Sequence, residues 1–457
     1  MSLDQVLARI DENQPKALER LMDLLRIPSI STDPAYADAC DSAADWLVAE
    51  LRALGVDAEK RPTTGHPMVV GHIGESGPHL LFYGHYDVQP VDPVDLWDNP
   101  PFEPTVEDTP NGPVIRARGA SDDKGQLMTF IEACRAWKQV HATLPGRITF
   151  FFEGEEESGS PSLVPFMKEN ADELKADLAL ICDTGLFESA VPAITTSLRG
   201  LVSEEFTIRG PSRDLHSGMY GGIAINPIRV LAGIVSGLHD DTGKITLPGF
   251  YDGVEEIPDE MRSQWQGLNF DHARYLGDVG LSHPAGENDR TPLEMIWARP
   301  TCDVNGIWGG YTGDGFKTVL PAEAHCKLSF RLVGKQDPAM IQQSFRQYVQ
   351  DNLPPDCTVE FGPGKGAPAT VMATDDPAFE KARGALSDEW PRPAAYIGCG
   401  GSIPIAGFFK NILGMESMLI GFGRDDDQIH SPNEKYDLES FHKGTRSWAR
   451  ILDALKR

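Results

Sequence analysis

Four short polar blocks, the early ones set directly behind apolar or β-rich runs, constrain this chain more than any other feature. They are Gly84-His85-Tyr86-Asp87, Ser121-Asp122-Asp123-Lys124-Gly125, Glu155-Glu156-Glu157-Ser158-Gly159 and Ile429-His430-Ser431. Asp183, behind Ala179-Leu180-Ile181-Cys182, has the same placement. A carboxylate or imidazole behind a buried strand sits at the strand's C-terminal end, the edge of an open α/β sheet where ligands bind. The pattern therefore predicts both a layered α/β fold and a site on it.

At 457 residues the chain is too long for one ordinary core, so two or three structural units are expected. No apolar run approaches the roughly 20 residues of a membrane-spanning helix. Residues 1–28 have acidic residues throughout and no continuous apolar core, unlike a secretory signal. Leu3, Val6, Leu7, Ile10, Leu18, Leu21, Met22 and Leu25 instead mark one face of an amphipathic helix. The seven cysteines show no CxxC spacing, which fits a reducing cytoplasm. With 41 basic against 68 acidic residues the net charge is −27, a field that repels phosphate backbones and argues against nucleic-acid binding.

The first ~200 residues alternate strand and helix patterns, as in a layered α/β sheet. Strands are predicted at 68–73, 79–83, 114–117, 148–152 and 178–182, and helices at 40–54, 125–141 and 161–170. Residues 90–113, rich in Pro, Asp and Asn, read as a surface loop. Near Arg199-Gly200 the character shifts. A strand over 201–208, a helix over 227–238, a strand over 324–332, a helix over 338–351 and a strand over 358–361 describe a small α+β insert. The stretch 245–299 is irregular. A helix over 377–389, a strand over 418–421 and a helix over 438–455 complete the parent domain.

His85 and Asp87 flank one residue, so in an extended segment they share a face. An imidazole there can bind a metal while the carboxylate supports it; a strand-end histidine in a turn fits this block as well. One carboxylate of Asp122-Asp123 can bridge two cations about 3.5–4 Å apart, although Asp at a helix N-terminus is also favourable for dipole reasons. Glu155-Glu156-Glu157 repel one another behind the buried run 148–152 unless solvent or a cation relieves them. One can ligate a metal while its neighbour acts as general base. Asp183 and His430 gain meaning by joining this set of oxygen and imidazole donors, which suits zinc, manganese or cobalt.

With these residues in view, the chain resembles the co-catalytic metallopeptidase family of carnosine-type and Cys-Gly dipeptidases, carboxypeptidase G and the acetylornithine and succinyl-diaminopimelate deacylases. The dipeptidase branch is nearest. The resemblance runs over essentially the whole chain and rests on residues 83–90 (YGHYDVQP), 154–160 (GEEESGS), 213–222 (RDLHSGMYGG), 399–404 (CGGSIP) and 430–434 (HSPNE).

The resemblance implies a three-layer α/β catalytic domain with a central mixed sheet (1–199 and 367–457) and an inserted smaller α+β lid and dimerisation domain (200–366). It implies two divalent metal ions, zinc first and manganese or cobalt next, held by His85, Asp122, Glu157, Asp183 and His430. Asp122 would bridge, Glu157 would complete the shell of the metal on His85, and His430 that of the metal on Asp183. Glu156 would be the general base and Asp87 would orient His85; the Glu156-Glu157 pair is chosen because it directly precedes Ser-Gly. His216 would stabilise the oxyanion in the partner subunit of a homodimer, a role worth about 3–4 kcal/mol. Arg331 would grip the substrate's terminal carboxylate, with Thr318 and Ser402 beside it. Read on their own, His216 also fits a turn histidine and Arg331 a strand-face surface arginine. The implied reaction is hydrolysis of dipeptides or short peptides with a free C-terminal carboxylate. An N-acyl amino acid deacylase with the same metal centre is the alternative. Thr184-Gly185-Leu186-Phe187 departs from the more usual polar residues after the ligand, which bears on selectivity alone.

Overall fold

Parallel strands buried on both faces read as near-continuous hydrophobic runs, and the runs found in the sequence form the centre of a mixed sheet. In the computed structural model, which describes residues 2–401 and 403–456, the chain divides into two compact units. The first comprises Met1–Thr196, Met372–Ile397 and Pro404–Arg457; the second comprises Ser197–Val371 and Gly398–Ile403. The short piece 398–403 thus joins the second unit, although chain order alone groups it with the parent domain.

In the first unit the sheet order is Asp57–Arg61, Met68–Ile73, Arg147–Glu153, His79–His85, Leu178–Ile181, Ser417–Leu419, Ala193–Leu198. The four strands from Arg147–Glu153 to Ser417–Leu419 are parallel, so their C-terminal ends lie along one edge. Successive side chains of His79–His85 point to opposite faces. Phe82 stacks on Phe130 of the helix Lys124–His141 with ring centroids 3.8 Å apart, whereas Tyr83 meets Phe409 edge-on on the other side. Helices therefore cover both faces, and the fold is a three-layer α/β sandwich. The amphipathic N-terminal helix runs Leu3–Leu25 and buries Val6, Leu7, Ile10, Leu21, Leu24 and Leu25.

Residues 90–113 are not all loop. Thr105–Thr109 pairs antiparallel with Gly112–Arg116, which in turn pairs with Lys435–Asp437. The short strand is Thr-Val-Glu-Asp-Thr at the edge of a three-stranded sheet, with no residue fully buried. It therefore has no apolar alternation to reveal it.

The second unit is an antiparallel sheet with helices. Thr301–Gly309, Glu323–Leu332 and Gly200–Arg209 lie side by side, and Thr358–Phe361 and Lys365–Ala367 pair with the far edge of Gly200–Arg209. Alternate residues face the core, where Val202, Phe206, Ile208 and Phe330 pack with Leu231 and Ile234 of the helix Pro227–Ser236 and Phe345 of Pro338–Asp351. Both helices begin with Pro at the first turn behind a capping side chain, Asn226 or Asp337. The stretch 245–299 is not uniformly irregular: it contains Asp259–Gly267, His272–Gly277 and Pro292–Trp297. Helices of six to nine residues are too short for a 3.6-residue period to show, but Thr291 and Glu294 form a full capping box at the last.

Candidate metal centre

Each strand end brings its polar block to the same edge of the first unit. His85 closes its strand, Glu156–Ser158 forms a single helical turn after Glu153, and Asp183 follows Ile181 by two residues. Asp122 precedes the helix Lys124–His141 and is joined to Asp123 by a cis peptide bond. His430 sits in a turn where Gln428, His430 and Asn433 all adopt positive φ, at 56°, 63° and 65°. Non-glycine residues rarely take that conformation, and strain of this kind collects at functional sites.

Asp122 is the centre of the cluster. Its Oδ1 lies 3.0 Å from His85 Nε2, and its Oδ2 lies 3.0 Å from His430 Nε2. His430 Nε2 is also 3.3 Å from Glu157 Oε2. On the other ring nitrogen, His85 Nδ1 donates to the backbone carbonyl of Asp87 at 3.1 Å. A neutral His85 therefore presents the Nε2 lone pair to a carboxylate oxygen, and two acceptors at 3.0 Å need a proton or a cation between them.

Donor atoms of His85, Asp122 and Asp183 lie within 4.8 Å of one another, as do those of Asp122, Glu157 and His430. Two groups sharing Asp122 fit a pair of cations. They correct the expected sharing, which put Glu157 with His85 and His430 with Asp183. Asp183 stays next to its strand end beside His85, whereas Glu157 is carried four residues past Glu153 by its turn. Among the described residues Glu157 Oε1 is buried without a hydrogen-bond partner, as is Asp123 Oδ1. Buried polar groups are ordinarily satisfied, so an orphaned carboxylate oxygen inside a donor cluster is what a cation site looks like.

The electrostatics agree. Five carboxylates, those of Asp87, Asp122, Glu156, Glu157 and Asp183, act on one another and on His85. Burial first, then the charge of Asp122, pushes the Asp183 carboxyl well above its ordinary range. Burial also raises Glu156, with Glu157, Asp122 and Asp87 adding to it against the pull of His85. Hydrogen bonds that the carboxylates of Asp122 and Glu157 accept from His430 lift it to about 10. So much negative charge out of water needs positive charge to balance it.

Neighbouring residues of the same motifs hold the cluster in place. Asp87 accepts the backbone N–H groups of both Glu156, at 3.2 Å, and Glu157, at 3.0 Å, while its Oδ1 lies 3.4 Å from His85 Nδ1. Glu155 points elsewhere: its carboxylate accepts His66 N and Ser162 N, each at 2.9 Å. Gln89 donates to Glu157 Oε2 at 2.7 Å. Glu434, fully buried, accepts the N–H groups of Gly119, Ser121 and Asp122 at 3.0, 2.9 and 3.1 Å and pairs with Arg118 at 2.8 Å. It therefore ties the loop carrying Asp122 to the turn carrying His430. Its signal in the sequence was its place in the HSPNE phrase.

The second unit contains the other expected residues. His216 is exposed, accepts Gly218 N at 3.0 Å, and pairs with Val319 in a two-stranded ladder; Ser217 N donates to Thr318 O at 3.2 Å. Arg331 is half-buried on the strand Glu323–Leu332, between Leu201 and Thr301. Ser402 lies outside the described residues.

The model of peptidase family M20/M25/M40 matches residues 81–454. The chain belongs to this family. Over its full length this M20/M25/M40 peptidase is 32% identical to the Cys-Gly metallodipeptidase of Schizosaccharomyces pombe, of which 98% is covered. The crystal structure of human carnosine dipeptidase 1 matches with a TM-score of 0.79 at 26% identity, covering 100% of this chain and 99% of that one. The M20 metallo-carboxypeptidase Sso-CP2 of Sulfolobus solfataricus gives a TM-score of 0.81 at 30% identity over 96% and 99% of the two chains. The chain is accordingly a metallopeptidase, a hydrolase of amide bonds. No helix among the described residues is long and apolar enough to cross a membrane.

Proposed function

We propose that this peptidase is a dipeptidase, cleaving dipeptides or short peptides that end in a free carboxylate, with two divalent cations per subunit and zinc as the first choice of metal. One observation carries the reading: both oxygens of Asp122 face an imidazole at 3.0 Å, in donor groups completed by Asp183 on one side and Glu157 on the other. The Cys-Gly and carnosine dipeptidases among its relatives support the substrate class.

Bound cations would supply Lewis acidity, bringing the pKa of a water toward ~7 and polarising a carbonyl. Glu156 takes the proton of the attacking water on its carboxylate and later passes it to the leaving amine. A positioned carboxylate can serve both halves of that task. Asp87 orients His85 through the ring contact and fixes the backbone of Glu156. His216 donates to the oxyanion, and Arg331 offers its fork to the terminal carboxylate; Thr318 and Ser402 are assigned to substrate binding as well.

The His216 role calls for a homodimer through the second unit. Support comes from Met219, Ile223 and Phe316, which are 76, 86 and 90% exposed, and from the edge strand Thr301–Gly309 with Ile307 and Trp308 open to solvent. A sheet edge of that kind is a template for pairing with another chain. Seven free thiols favour a reducing compartment such as the cytoplasm.

The test is hydrolysis of free dipeptides and of N-acetyl or N-succinyl amino acids by metal-stripped protein, before and after zinc or manganese is added. Metal-restored cleavage of free dipeptides is expected. Cleavage confined to acylated amino acids would establish the deacylase instead, and silence with two metals bound would overturn the substrate class.

A further inference from the structure

The second unit contains a cavity of about 330 Å³ for which the dipeptidase reading has no use. Much of its wall comes from the stretch 245–299, and the start of the strand Thr301–Gly309 completes it. Ile245, Phe270, Leu276, Met295 and Ile296 make it apolar and aromatic. Its charged groups have opposite-sign neighbours. Arg299 Nε donates to Glu287 at 2.8 Å, and Asp303 acts on Arg199. An ionic side chain would find little net charge there. Ligand sites run from about 300 Å³ upward, so the space has room for one large side chain.

The cavity adjoins Arg331. Thr301, which lines it, is the cross-strand partner of Arg331, and such partners share a sheet face about 5 Å apart. Arg199, also in the wall, is held below its ordinary pKa by burial and then by the charge of Arg331. Its Nε donates to Gly400 O at 3.0 Å and its backbone N–H to Gly401 O at 3.1 Å. A Cβ at Gly398 would strike Trp297, so this segment also lies against the helix Pro292–Trp297, which supplies Met295 and Ile296 to the wall.

Resting on the assignment of Arg331 to the terminal carboxylate, we propose that this cavity receives the side chain of the substrate's C-terminal residue and selects large apolar or aromatic ones. The carboxylate and the side chain leave the same Cα, so the group that grips one must stand beside the pocket that holds the other. Arg331 and Thr301 stand in that relation.

The experiment uses the metal-loaded full chain and the series Ala-Gly, Ala-Ala, Ala-Leu and Ala-Phe. The expected kcat/KM for Ala-Leu and Ala-Phe exceeds that for Ala-Gly by about ten- to a hundred-fold. Met295→Trp and, separately, Leu276→Trp put an indole into the cavity and bring the ratio toward one; a ratio is unaffected by the fraction of protein that folds. Equal rates along the series, or a preference for Leu and Phe that survives in both variants, would overturn the proposal. Failure of the dipeptidase reading looks different, since then only N-acetyl amino acids are cleaved. The same Gly-to-Phe comparison on N-acetyl amino acids then decides the cavity. Cleavage of neither series removes both readings.

Discussion

The carboxylate–imidazole cluster of the first unit and the residues of the second proposed to meet substrate are built on opposite principles. His85 and Asp87 are fully buried, and each neighbour fixes the next: Asp87 holds the backbone of the acidic turn, and Glu434 holds three consecutive-loop amides near Asp122. His216 is exposed and Arg331 half-buried, with few internal partners to set their geometry. A site that must concentrate charge out of water is preorganised by its own network. Groups that meet a substrate late in binding stay accessible until it arrives. Substitutions in the first region should therefore disturb stability or metal binding as well as rate, and those in the second should disturb rate or KM alone.

The largest expected effect is at Glu156. Glu156→Ala should lower kcat by about 10²–10⁴-fold with both metals still bound by elemental analysis; near-normal turnover in that protein would remove Glu156 from the reaction. Glu434→Gln should sharpen the contrast from the stability side. It leaves the buried Arg118 without its counter-charge, a change of the kind that costs ~3–5 kcal/mol. Because burial and Asp122 already raise the Glu434 pKa, the lower end, about 3 kcal/mol, is expected as a fall in thermal midpoint. Weaker zinc binding in competition with a chelator should accompany it. An unchanged midpoint and unchanged zinc affinity would break the picture of a mutually fixed cluster.

His216→Ala comes next, with a loss of about 10²–10³-fold in kcat and no shift in thermal midpoint. Full activity in that variant would end its assignment to the oxyanion. Arg331→Lys keeps the charge but loses the fork. It should raise KM about tenfold, equivalent to ~1.4 kcal/mol, with kcat nearly unchanged. A fall in kcat at constant KM would place Arg331 elsewhere in the reaction.

Much of the fold was legible because buried strands and amphipathic helices carry their own periodicity. The runs 68–73, 338–351, 358–361 and 438–455 match the observed bounds residue for residue. Thr105–Thr109 and the small helices within 245–299 were missed because they are short, polar or capped by side chains rather than marked by apolar alternation. In the acidic run, three adjacent glutamates look alike in sequence. Only the place of Glu156-Glu157 before Ser-Gly separates them there, and the structure adds that Glu155 is bonded to His66 and Ser162.

The sequence by itself determined that carboxylates and imidazoles end the central strands, since a hydrophobic run that stops at His85 or before Asp183 can stop only at the sheet's edge. The tertiary structure alone decided that Asp183 joins His85, that Glu157 joins His430, and that Glu434 clasps the loop of Asp122. Asp122 and His430 stand 308 residues apart in the chain yet 3.0 Å apart in space. Separations of that kind follow from strand order and from the path of single turns, and no local pattern of residues encodes either.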